Sequence, residues 1–137
     1  MRFMIIRKAD SETEAGVMPT EEQLRTMTDY NEEMLKAGVL VAGEGLHPSS
    51  RGMRVSFRDG APTVTDGPFA EAKELIAGFT MIEVRSREEA LEWVKRWPEE
   101  NVDLEVRQVF AAEDFGEAFT PELQAREEHM REELGQP

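Results

Sequence analysis

Residues 2–8, RFMIIRK, read as a strand with apolar side chains on both faces: Phe3 and Ile5 on one, Met4 and Ile6 on the other. Residues 78–85, GFTMIEVR, repeat the pattern, with Phe79 and Met81 opposite Ile82 and Val84. A sheet built on such strands needs cover on both sides, because large apolar patches are uncommon on soluble monomers. The body of the chain offers two amphipathic helices, enough for one face. Cover for the second face is expected from another copy packed across a two-fold axis, giving a homodimer with its sheets face to face.

The remaining elements follow from caps and periodicity. Thr20 with Gln23 forms a capping box, after which Leu24, Met27, Asn31, Met34 and Leu35 share a helical face until Gly38 ends the helix. A strand is expected over 39–46, then the loop HPSSRG, then strands at 53–58 and 62–65 joined through Asp59-Gly60, a strong hairpin signal. Ser86 with Glu89 opens a second helix, whose Ala90, Leu91, Val94 and Trp97 share a face and which Pro98 closes. LEVRQVF at 104–110 is the last strand. This order is an α+β, ferredoxin-like βαββαβ chain with an inserted β-hairpin.

Charge separates a body, 1–110, from a C-terminal extension, 111–137. The net charge is −13, and the extension carries eight acids against Arg126 and Arg131, a net −6. Thr120-Pro121 opens a helix there, and Phe115 and Phe119 are expected to pin its beginning to the body or to a second subunit. So acidic a surface repels a phosphate backbone, so nucleic acid is not an expected partner. With no cysteine, disulfides, thiol catalysis and cysteine-based zinc sites are excluded. The start, MRFMIIRKADSE, has no signal-peptide pattern and no apolar run is long enough for a membrane span, so a cytoplasmic location is expected.

Asp66-Gly67-Pro68-Phe69 is the candidate site. Gly67 suits a special backbone conformation and Pro68 fixes the chain after it. Asp66 serves either as a turn cap or, held ionised by backbone donors, as a ligand acceptor or general base. Phe69 is a core plug or a pocket wall. Lys73 can hold a carboxylate or phosphate, although such exposed clusters are more often solvated. His47 is the plausible imidazole acid–base group, with Glu44 nearby, but no HxH or HxxxH spacing supports a metal. Asn31 interrupts an apolar stripe, so its amide either ties the helix to a loop or faces a cavity. Ser49, Ser50 and Arg51 offer an anion loop without a phosphate fingerprint.

Asp66 through Glu74, DGPFAEAKE, resembles the DGPFAETKE hallmark of YCII-related proteins of the DGPF type, differing at Ala72. AGVLVAGEGLHP, SREEALEW and LEVRQVF are also similar to flanking family segments, so the likeness covers about residues 1–110. The resemblance implies a dimeric α/β barrel of ferredoxin-like protomers and a bacterial-type regulatory setting associated with an alternative sigma factor. It also implies small-molecule enzymology through a helix-borne histidine paired with an acid. Here the first helix has no histidine, Met27 standing near the expected position, and His47 and His129 lie elsewhere.

The function expected is therefore a non-catalytic or regulatory small-molecule-binding homodimer without a cofactor. Its ligand would meet Asp66, Phe69, Lys73, Glu44 and Asn31. The alternative is a small-molecule enzyme of lyase, isomerase or hydrolase type, with Asp66 and His47 as the acid–base pair.

Overall fold

The computed structural model describes residues 1–136. The two doubly apolar strands take the middle of a four-stranded antiparallel sheet. They are β1 (Arg2–Lys8) and β5 (Ile76–Glu83), flanked by β2 (Leu40–Gly45) and β6 (Leu104–Gln108) in the order β2-β5-β1-β6. Phe3 lies opposite Ile82 and Ile5 opposite Thr80, so these side chains share one face. Against that face pack α2 (Glu21–Lys36) and α3 (Arg87–Val94), closing a core of Phe3, Ile5, Tyr30, Met34, Val39, Ile82, Val84 and Ala90. The mixed α+β architecture and strand order are compatible with a ferredoxin-like arrangement.

The caps act as the sequence indicates. Thr20 and Gln23 exchange both capping-box hydrogen bonds, and Ser86 Oγ accepts from the Glu89 N–H at 3.1 Å. Gly38 follows α2 with φ of +76°, the left-handed conformation that glycine adopts without steric cost.

Several expectations need correction. The buried side of α2 is centred on Tyr30 and Met34 with Met27 packed beside them, whereas Leu24 and Leu35 are exposed. Tyr30 wins its place because its ring packs on Trp93 and Trp97 while its hydroxyl donates to the Trp93 carbonyl at 2.7 Å. In α3 the packing residues are Ala90, Trp93 and Val94, and Leu91 is exposed; Trp97 packs from beyond the helix end. The stretch read as a loop after β1 contains a short helix, α1 (Ser11–Glu14), capped by Asp10 and Thr13.

Met4 opposes Met81 and Ile6 opposes Phe79 on the other face of the sheet, half-buried and outside the core cluster. β3 (Met53–Arg58) and β4 (Ala61–Asp66) form a separate two-stranded ribbon. In the extension, a 3₁₀ segment (Ala112–Ala118) leads to α4 (Pro121–Glu133). Phe115 stacks on Phe110 with centroids 4.8 Å apart and meets Phe119 edge-on at 5.4 Å, so these rings hold chiefly one another.

Candidate functional site

Ser49 is the node on which the DGPF segment is built. It opens a 3₁₀ turn (Ser49–Arg51), so its N–H has no partner within the turn and donates to Glu14 Oε2 at 2.9 Å. Its hydroxyl donates to Glu14 Oε1 and accepts from the Phe69 N–H at 3.0 Å. The Gly67 N–H donates to the Gly52 carbonyl, also at 3.0 Å. Three segments distant in sequence are thus tied together: the end of α1, the loop before β3 and the turn after β4.

Gly67 is required by space rather than by conformation. A Cβ there would stand 1.8 Å from the Ser49 carbonyl oxygen. The Gly67-Pro68 peptide is cis. The left-handed residue of the segment is Glu71, with φ of +64°.

Above this node lies a rim of cations and an aromatic ring. The Arg54 guanidinium stacks on the half-buried Phe69 at 4.0 Å from the ring centroid. Arg51 approaches the His47 ring nitrogens at 3.3 and 3.5 Å, so the imidazole accepts from Arg51 through whichever nitrogen lacks a hydrogen.

The expected site residues are only partly gathered. Asp66 is exposed at the end of β4, opposite Met53, and among the described residues its carboxylate makes no hydrogen bond, neither as a turn cap nor to backbone donors. The capping role falls to the Ser49 hydroxyl. His47 meets Arg51 rather than Asp66. Phe69 is part of the rim, and Lys73 is exposed on the adjacent 3₁₀ turn (Ala72–Glu74). Glu44 lies on β2 across from Phe79, on the open sheet face. Asn31 is half-buried on α2, makes no side-chain hydrogen bond among the described residues and leaves no buried polar atom unpaired. Ser49 and Arg51 belong to the loop noted in the sequence, but Glu14 and Arg54 were not singled out, since nothing local links them to a turn many residues away.

Two open clefts lie far from this rim, beside the extension. One, of about 260 Å³, is lined by Arg2, Phe110, Phe115, Phe119, Glu127 and Arg131 among others. The second, of about 210 Å³, shares Arg2 and Phe110. Among the described residues no group of three acids or histidines is placed to hold a metal ion, and no helix is long and apolar enough to cross a membrane.

An uncharacterized protein of Rhizobium meliloti (strain 1021) is 32% identical over 89 residues, spanning 63% of this chain and 72% of that one. Among solved structures, the chain is similar to a 5-chloro-2-hydroxyhydroquinone dehydrochlorinase from Burkholderia phenoliruptrix AC1100, solved with 2,5-dihydroxybenzoquinone. That likeness has 16% identity and a TM-score of 0.45, covering 80% of this chain and 94% of the other. The family model of the YCII-related domain matches residues 1–113, and the chain belongs to that family.

Proposed function

We propose that this chain is a non-catalytic, regulatory small-molecule-binding protein. It works as a homodimeric α/β barrel of ferredoxin-like protomers, with the extension from residue 111 as an appendage. Its ligand meets the rim of Arg51, Arg54 and Phe69. The supporting observation is the Ser49 node: a buried-side network fixes the turn, while the groups above it are left facing outward. The rim suits a small molecule with an aromatic or apolar part for the Arg54–Phe69 stack and an anionic or polar group for Arg51. A cytoplasmic setting beside an alternative sigma factor belongs to the same proposal and rests on family resemblance.

A thermal-shift screen of small aromatic and polar metabolites against the wild-type protein is the test. A hit is expected to lose at least tenfold in affinity with Arg51→Ala or Arg54→Ala, while both variants melt within about 1 °C of wild type. A hit whose affinity neither substitution changes would place the ligand elsewhere and sink the rim reading.

A further inference from the structure

Helix α4 turns inward the residues that a helix docked only for stability would leave in water. Along Pro121–Glu133 the half-buried positions are Glu127 and Arg131, one turn apart, while Leu123 is 42% and Met130 53% exposed. Burial of an apolar stripe is the usual reason for a helix to dock, and charge taken out of water costs free energy unless it is satisfied. Here a single bond joins the two, from Arg131 Nη2 to Glu127 Oε1 at 3.0 Å. A guanidinium carries five N–H donors, so most of those on Arg131 have no acceptor among the described residues.

Glu127 and Arg131 form one wall of the cleft of about 260 Å³, and Arg2 stands in the same lining. Arg2 is half-buried, and among the described residues its side chain makes neither an ion pair nor a hydrogen bond. Glu83 lies directly across the strand pair, yet Arg2 forms no ion pair with it. In a chain with 29 acids against 16 bases, an arginine without an acid partner is the exception. The other wall is aromatic. Phe115 stacks on Phe110 with planes 27° apart and meets Phe119 edge-on, which leaves Phe110 64% and Phe115 55% exposed. Glu113 and Asp114 line the adjoining cleft, where Asp114 already accepts from the Ala111 N–H at 2.8 Å. The larger cleft thus combines flat apolar surface with two guanidinium groups and one carboxylate.

We propose that this cleft is a second binding site, separate from the DGPF rim, for a small aromatic carboxylate. The ring packs against Phe110 and Phe115 in the offset or edge-on manner that aromatic pairs prefer. The carboxylate meets Arg2 and Arg131, whose planar forks match its two oxygens. One net positive charge in the lining suits a monoanion better than a doubly charged phosphate. The volume is just under the roughly 300–1,000 Å³ of pockets for drug-sized ligands, so the occupant has about one ring and a short side chain. The site uses the start of β1 and the extension, and needs neither Ser49 nor Arg54.

The probe is 4-fluorophenylacetate, titrated into the full chain and followed by fluorine NMR, with 2-(4-fluorophenyl)ethanol as the uncharged control. The acid is expected to bind at least tenfold more tightly than the alcohol. Arg2→Ala and Arg131→Ala should each weaken it at least tenfold, and Arg54→Ala should leave it unchanged. Arg131 lies on a mostly exposed helix, so its variant carries the test if Arg2→Ala does not fold. No binding at millimolar probe, or equal binding of acid and alcohol, overturns the proposal. Binding weakened by Arg54→Ala and not by the other two puts the probe on the rim and also overturns it. If Arg2→Ala changes the sedimentation of the chain and not the affinity, the cleft is a contact between copies and the proposal falls.

Discussion

At Gly67 one added methyl group decides whether the turn exists. Its Cβ would sit 1.8 Å from a backbone oxygen, which no rotamer change relieves. Gly67→Ala is therefore expected to cost about 3 kcal/mol or more, by urea unfolding, and to detach the Phe69 N–H from Ser49. Loss below 1 kcal/mol would show that the segment closes in another way. Tyr30 gives a second residue-scale prediction. Burial pushes its phenol up to about 12 from 10.0, Glu33 adding to the shift and Arg96 opposing it. The folded state thus holds the proton more tightly than the unfolded one. The associated stability is complete below pH 10 and is lost as pH rises through about 12. Alkaline unfolding should steepen above pH ~10 by roughly 2–3 kcal/mol in total, and Tyr30→Phe should remove that slope.

Among the elements, the extension is the one whose attachment is least obvious from its composition. Its helix α4 is mostly exposed, and Phe115 and Phe119 reach the body through Phe110, in a stack that lines a cleft with Arg2. Truncation after Phe110 removes two of these rings and should lower the melting temperature by several degrees, as roughly 1–2 kcal/mol of apolar burial implies. An unchanged melting temperature would show that the rings stabilise nothing in the body. The ribbon of β3 and β4 was legible as a hairpin because Asp59-Gly60 supplies the two turn residues, both with positive φ. That it stands apart from the sheet was not legible, since strand pairing depends on where the neighbouring loop is tied.

For the whole molecule the open sheet face sets the expectation. Met4, Ile6, Phe79 and Met81 lie side by side at its centre, away from α2 and α3. Sedimentation velocity should show a dimer at micromolar concentration, and Ile6→Lys, which places a charge in the middle of this face, should weaken it at least tenfold. A monomeric wild type would mean that the face needs no second copy.

What the sequence determined by itself was local or periodic: caps at Thr20 and Ser86, the Gly38 stop, the Asp59-Gly60 turn, and two strands apolar on both faces. Each of these depends on residues within a few positions of one another. The face of α2 was less secure, because Leu24 and Leu35 fit the same period as Met27 and Met34. Only contacts with Trp93 and Trp97 brought Tyr30 inward. The candidate site was legible as a motif and not as a mechanism. Asp66 and Gly67 announce a turn, yet its cap is a serine hydroxyl from another loop, itself held by Glu14. Those partners meet because the sheet carries the end of β2 and the start of β5 to one end, a placement that packing decides and no short stretch of residues contains.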